Sequence, residues 1–399
     1  MPSVESSREI RLTGHPSPLA VFPAETITNR NFATSRLDAW DRFFLPPTMV
    51  PLADGAPLGS VDAIADDNRS AILPHPVATL DSIPFYLSVK GIGSGVDPFS
   101  LRQLDATYAA ELSDDPEVQR RLQAPRGDQL GGFVTGELWL RGSPYGGQGL
   151  PHAQTALRVS ERADLTSIEG FRIAPVVKIA FLPLALETRL RSIHWYRKYR
   201  DRFVQEIRLV PSNVRVYFHS RSTLGNNPAE VFDLFSIDSS PKAHAFEANF
   251  VRSGVALLTL FARTLAFDGA KGRYSGLDFE DVWLDKDAIL APDGTVFFVD
   301  LEGIAETSVE RHAVREKIED QIFRSLYEFM FAFEQIEAER ARRFGSHGSR
   351  KRHFESIVVE SLEHDPFVRA HHDARGLSIQ VRNRMEEEPL YYDFPLVDL

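Results

Sequence analysis

The spacing of hydrophobic positions changes several times along the chain. Residues 84–90 (Pro-Phe-Tyr-Leu-Ser-Val-Lys) combine aromatic and branched side chains and run into a Gly-Ile-Gly turn, which predicts a strand ending on Lys90. Residues 101–122 have helical spacing interrupted at Ser113 and Pro116, and residues 131–140 alternate as a strand. A Gly- and Pro-rich loop over 142–149 precedes a predicted helix over 153–168. Residues 172–186 read as an apolar strand pair broken at Pro183.

The second half has a different texture. Residues 188–206 predict a charged helix with interleaved aromatics, and residues 210–219 alternate as a strand. Residues 241–267 predict a long helix whose stripe is Phe246, Phe250, Val251, Val255, Leu258, Phe261 and Leu265. Two short apolar runs, 282–284 and 296–299, flank Pro292-Asp293-Gly294 and predict a hairpin. From Ser308 onward the pattern is mainly helical. The first 82 residues are rich in Pro, Asp and Ser and read as loop-rich, with a pairing segment over 27–45.

Composition narrows the chemistry. The chain has 399 residues, 43% of them hydrophobic and 25% charged, as in a soluble globular protein. With 45 basic and 56 acidic residues its formal charge is −11, which argues against non-specific binding of nucleic acid or a membrane surface. There is no cysteine, so disulfides, cysteine nucleophiles and thiolate-bound metal are excluded. The polar, proline-punctuated N-terminus lacks the apolar core of a signal peptide, and no apolar run reaches the ~20 residues of a membrane helix. The expected location is cytoplasmic.

Candidate chemistry concentrates in two carboxylate segments. Tyr274-Ser-Gly-Leu-Asp-Phe-Glu-Asp281 runs into Val-Trp-Leu, and Val296-Phe-Phe-Val-Asp300 runs into Leu-Glu-Gly303. A long apolar helix precedes both. Carboxylates at neighbouring strand ends, here Asp281 and Asp300, can hold Mg²⁺ against nucleotide phosphates; the same residues also suit ordinary turns. Lys90 at its strand end could meet a phosphate or simply face water. Gly55 and Gly59 suit either a phosphate-covering loop or a surface turn. The basic run 189–202 suits an amphipathic helix with a solvated basic face or a surface for an acidic peptide, phosphate or nucleic acid. The basic run 340–352, with its glycine-rich break, suits a mobile loop between helices, and His371-His372 shows no metal-ligand spacing.

This order of segments resembles that of protein-kinase-like folds, and short motifs resemble the selenoprotein O family of kinase-like protein adenylyltransferases. Lys90-Gly-Ile-Gly with Asp97-Pro-Phe-Ser100 resembles its K-G-x-G-x-T-P-[YF]-S stretch, although Ser143-Pro-Tyr-Gly-Gly-Gln-Gly149 resembles part of the same motif. Ala156-Leu-Arg-Val-Ser-Glu-Arg162, with Leu165 and Ser167, resembles the family's arginine helix. Ala174-Pro-Val-Val-Lys178 resembles the following strand, and Glu280-Asp281-Val-Trp-Leu its catalytic segment.

The resemblance implies an α+β, bilobed protein-kinase-like fold: a β-rich N-terminal lobe with insertions and a mainly helical C-terminal lobe. The corresponding divisions are an extension over 1–82, a small lobe over 83–187 and a large lobe over 188–399. It implies ATP and Mg²⁺ as cofactors, with Lys90, Arg158 and Arg162 on the phosphates, Asp281 and Asp300 on the metal, and Glu280 or Asp278 as catalytic base. The acceptor would be a hydroxyl of a protein, peptide or small molecule, with no nucleic-acid or membrane partner. Three departures stand out. Ala163 occupies the position of the helix carboxylate that pairs with the lysine, leaving Glu161, Asp164, Glu169 or Glu111 as substitutes. Gly276 stands where the usual base Asp would be, and Asp300 is followed by one residue more than in Asp-x-Gly. The expected reaction is transfer of a phosphoryl or adenylyl group. The alternatives are a pseudokinase scaffold and a kinase-like tailoring enzyme or lyase.

Overall fold

The computed structural model describes residues 12, 15–16, 18–32, 41–45, 57–65, 70–92, 148–162, 171–185, 187–188, 201–216, 227–268, 270–279, 282, 284–345, 350–373, 376–382 and 391–395. It is an α+β structure built on one large antiparallel sheet. The strands are β1 (Leu19–Pro23), β2 (Thr26–Thr28), β3 (Arg42–Leu45), β4 (Gly59–Val61), β5 (Ile64–Ala65), β6 (Ser70–Ile72), β7 (Ile83–Lys90), β8 (Val176–Phe181), β9 (Phe203–Val210), β10 (Ala266–Asp268), β11 (Arg273–Asp278), β12 (Ala288–Leu290), β13 (Val296–Phe298), β14 (Ala305–Glu310), β15 (Val368–Asp373), β16 (Gly376–Arg382) and β17 (Tyr391–Pro395). The helices are α1 (Leu150–Ser160), α2 (Pro228–Leu234), α3 (Ser240–Thr264), α4 (Val314–Ile322), α5 (Glu328–Phe344) and α6 (Arg350–Leu362).

The central part of the large sheet is ordered β5-β6-β7-β9-β8-β2. Its middle strands are buried on both faces, and the two faces do different work. Leu87, Val89 and Ile207 pack on the small β3-β1-β4 sheet with Val21, Phe43 and Phe44. Gln205 extends the same contact: its amide accepts from the Phe44 N–H and donates to the Phe44 carbonyl. On the other face Lys90 and Glu206 stand opposite each other in the ladder, with Ser88 opposite Arg208. Because side chains alternate between faces, these four polar residues gather on one side.

That polar side meets α1 and the β12–β13 hairpin. Helix α1 begins after Gly149 with Pro151 in its first turn and buries Ala153, Ala156, Leu157 and Val159. Its last residue, Ser160, accepts from the Val176 N–H at 2.9 Å, tying the helix end to β8. The helix packs against the single turn Leu301–Gly303 that follows β13. The hairpin closes through Gly294 at φ +93, where a Cβ would collide with the Phe246 carbonyl of α3. Strand β13 also pairs in parallel with Arg172–Ile173, and Phe85 of β7 meets Phe297 edge-on at 5.5 Å. The link after β9 continues this layer, with the Ser212 hydroxyl donating to Leu290 O and Leu290 N–H donating to Val214 O.

Helix α3 is the spine of the helical half. It is long and apolar enough to cross a membrane by length and composition, yet most of that stretch is buried against α5 and α6. A π-helical turn, Phe323–Tyr327, joins α4 to α5.

Several expected elements sit elsewhere. Of the helix expected over 188–206, residues 203–206 form the start of β9 and residues 189–200 lie outside the described residues; the large sheet takes strands from both sides of the expected division at 187/188. The first hairpin strand lies at Ala288–Leu290, and Leu284–Asp287 is a helical turn. The C-terminal region adds a three-stranded sheet, β15-β16-β17, to the expected helices. The elements expected over 101–122 and 131–140 lie outside the described residues.

Candidate functional site

Five charged side chains converge where the large sheet meets the hairpin. Strand β7 delivers Lys90, β9 delivers Glu206 and Arg208, and the end of β13 delivers Asp300 and Glu302. The Lys90 Nζ donates to Asp300 Oδ1 at 2.5 Å and to Glu302 Oε1 at 3.1 Å. Arg208 is clamped by Glu206, with Nε donating to Oε2 at 2.8 Å and Nη2 to the same oxygen. Its Nη2 also lies 3.7 Å from Asp300 and 3.9 Å from Glu302. The buried Val296–Val299 run anchors Asp300, and Val299 N–H donates to Asp287 O at 2.8 Å.

Burial sets the electrostatics. Desolvation opposes the charge on Lys90, but Asp300 and Glu302 outweigh it and hold the ammonium above its ordinary range. Asp300 is likewise opposed by burial, yet Lys90 and Arg208 keep its carboxyl well below the usual carboxylate range. Glu302 moves the other way. Burial pushes it up, with Asp300 and Glu206 adding to the push against the pull of Lys90. The cluster is therefore held by mutual charge compensation, and losing one member leaves the rest uncompensated.

Of the residues singled out from the sequence, Lys90 and Asp300 are brought together. Arg158 is exposed on α1 and bonds its own turn, with Nη2 donating to Thr155 at 3.1 Å. Arg162 lies just beyond α1 and pairs with Glu306 at 3.3 Å. Asp278, at the end of β11, pairs with Lys317 of α4 at 2.7 Å. Glu161 accepts from the Arg30 N–H at 2.9 Å, while the carboxylates on Lys90 are those of Asp300 and Glu302. Glu280, Asp281, Glu111, Asp164, Glu169 and Ala163 lie outside the described residues, as do 97–100 and 143–147. Gly276 lies in β11 against the end of α3, where a Cβ would approach Leu265 Cα at 3.2 Å and Thr264 O at 3.3 Å.

Two other candidates have structural places: an exposed strand end and a buried ion network. Gly59 begins β4, paired with Val21. Arg340 is fully buried between Glu247 and Glu337, so the 340–352 run starts as a core ion network. Sequence reasoning missed Glu206, Arg208 and Glu302. Glu206 sits at the end of the segment whose charges suggest a helix, over 188–206, and Arg208 falls between that segment and the strand expected from 210; Glu302 lies within the Asp-Leu-Glu-Gly stretch that is one residue longer than Asp-x-Gly.

The oxygen donors suit Mg²⁺. This ion uses one or two carboxylates with phosphates and water, rather than an all-protein cage. Among the described residues no group of three or more His, Cys, Asp or Glu forms such a cage. Asp300 could supply one hard oxygen ligand, and Lys90 and Arg208 would place positive charge beside an anion held there.

No family model matches the chain, and a search of curated proteins finds no significant match.

Proposed function

We propose that the chain is a kinase-like transferase that uses ATP and Mg²⁺ to move a phosphoryl or adenylyl group to a hydroxyl of a protein, peptide or small molecule. In this reading the fold is bilobed, the large sheet with α1 forming one lobe and the helices around α3 the other. The Lys90–Asp300 contact carries the reading: 210 residues apart, they join a central-strand lysine to the Asp-Leu-Glu-Gly turn after a hairpin. The packing of α1 against that turn supports it.

Lys90, helped by Arg208, would neutralise and orient the phosphates. Asp300 and Asp281 would hold Mg²⁺, which when bound offsets the charge of the phosphates. Arg162 and Arg158 stand outside the cluster as further phosphate contacts. Of the two candidate bases, Asp278 is engaged by Lys317, which favours Glu280.

A second reading, a nucleotide-binding pseudokinase, is favoured by Gly276, because the backbone at the end of α3 closes in on the position of the usual base. Thermal-shift titration with ATP and Mg²⁺, combined with intact-mass analysis of acceptors, tests both. Transfer adds about 80 Da for phosphoryl or about 329 Da for adenylyl. A transferase shows a ligand-induced shift that Asp300→Ala abolishes, together with one of these adducts. A shift with no adduct leaves the pseudokinase; no shift at all removes both readings.

A further inference from the structure

We propose that Glu302 is the positioning carboxylate for Lys90, doing from the Asp-Leu-Glu-Gly turn what a helix carboxylate does elsewhere; this rests on the transferase reading above. Helix α1 reaches the site, but its nearby carboxylate, Glu161, is spent on the Arg30 N–H at 2.9 Å. The turn packed against α1 carries the substitute: Glu302 Oε1 receives Lys90 Nζ at 3.1 Å. Glu302 lies in a turn with one residue more than Asp-x-Gly, Leu301 and Glu302 both standing between Asp300 and Gly303.

The two carboxylates on Lys90 are not equivalent. Asp300 is the hard ligand a dication would compete for, so its hold on Lys90 is the one that a metal would weaken. Glu302 then keeps the ammonium in place. The surroundings support this division of roles. Glu206 stands opposite Lys90 in the ladder and fixes Arg208, whose guanidinium lies 3.9 Å from Glu302 and 3.7 Å from Asp300. Arg208 thus offsets the two acids together, allowing both to remain near one lysine.

The test reads the Lys90–Glu302 contact directly and then its consequence. Mass mapping would follow acylation of Lys90 by an amine-reactive reagent in metal-free protein, with circular dichroism confirming folding. With Asp300 neutralised as Asp300→Asn, Lys90 stays protected; the Asp300→Asn, Glu302→Gln double variant labels at least about tenfold faster. If Asp300→Asn alone labels as fast as the double variant, Glu302 does not hold the lysine.

Calorimetric titration with ATP, with and without Mg²⁺, gives the second arm. Glu302→Gln weakens binding about tenfold, and Glu302→Asp, which keeps the charge but withdraws it by one methylene, weakens it less. In a Lys90→Met background Glu302→Gln has no further effect, because the group it positions is gone. Wild-type affinity in folded Glu302→Gln, or an additive loss in the Lys90→Met background, overturns the role. A wild-type chain that binds no ATP overturns the transferase reading and Glu302's role with it. Normal ATP binding with unprotected Lys90 in Asp300→Asn overturns Glu302's role alone.

Discussion

Asp278 at the end of β11 and Lys317 on α4 form an ion pair of 2.7 Å, with 14% and 12% of their side chains exposed. At that depth the pair is a fastener between strand and helix, and either charge left alone is costly. Asp278→Asn is expected to lower stability by on the order of 3 kcal/mol, and adding Lys317→Met should recover part of that loss. Urea unfolding of the two single variants and the double variant measures the coupling. If the chain transfers a group, folded Asp278→Asn keeps most of its turnover, whereas Glu280→Gln loses about 10²–10⁴-fold. The reverse order of losses would make Asp278 the base.

Gly276 makes a complementary prediction. Restoring an acid where a kinase-like chain would carry its base should not create an active enzyme. A Cβ there stands 3.2 Å from Leu265 Cα and 3.3 Å from Thr264 O, both backbone atoms at the end of α3. Backbone yields less readily than a flexible side chain, so Gly276→Asp should lower the melting temperature, and Gly276→Ala should show most of the same loss. Calorimetry on both variants checks this; higher turnover in Gly276→Asp at wild-type stability would show that α3 yields and the position is usable.

The elements that were legible are those whose burial matches their polarity. Residues 84–90 and the stripe of α3 are apolar and buried, so their periodicity predicted them. Pro292-Asp293-Gly294 was legible because the turn demands a positive φ that Gly294 supplies. Strand β9 was not. Its Gln205, Glu206 and Arg208 are buried through an amide contact and an ion cluster, and buried charge has the same sequence signature as an exposed helix. Glu302 was hidden for another reason: its partner is 212 residues away, and no local period encodes that distance. Strand β16 carries a readable alternation of Leu377, Ile379 and Val381, all buried, but it follows a strongly helical stretch that dominated the pattern.

The buried network of the helical half predicts a pH dependence. Glu247 of α3 accepts from Arg340 Nε of α5 at 2.7 Å, and Arg340 Nη2 donates to Glu337 at 2.7 Å. From α6, His353 Nδ1 lies 3.7 Å from the other Glu247 oxygen, and its ring is 5.7 Å from that of His244. Burial pushes Glu247 up to about 7, against the pull of Arg340 and with Glu337 adding to the push. The folded state therefore binds this proton more tightly than the unfolded chain, and the resulting stability is lost as pH rises from about 4.5 to about 7. The loss is at most about 3 kcal/mol. His353 acts oppositely, because burial, Arg340 and His244 hold it below its ordinary value, and the stability this brings is present above about 6.5 and is lost as pH falls below it. Glu247→Gln isolates the first effect. Its stability relative to wild type should climb across pH 4.5–7 and level off above; a difference that is flat with pH would mean Glu247 stays ionised throughout.

Gln205 tests whether the two faces of the large sheet are built as described. Its side chain is fully buried and joins three backbone groups: it accepts from Phe44 N–H at 3.0 Å, donates to Phe44 O at 2.5 Å and donates to Gly91 O at 3.2 Å. Leucine fills nearly the same volume but leaves those groups unsatisfied, at about 1–3 kcal/mol for each buried group that finds no water. Gln205→Leu should therefore destabilise by several kcal/mol despite its greater hydrophobicity. Gln205→Glu should be worse, because an ionised carboxylate can no longer donate to Phe44 O or Gly91 O and must be desolvated. Since Gln205 points away from Lys90, the surviving folded Gln205→Leu protein should keep the acylation protection of Lys90. Hydrogen exchange at Phe44 N–H provides the local readout, with faster exchange expected in Gln205→Leu, which removes the acceptor of that N–H. Slow exchange at Phe44 in Gln205→Leu would show that β3 is held to the large sheet by apolar packing alone, with the amide contributing little.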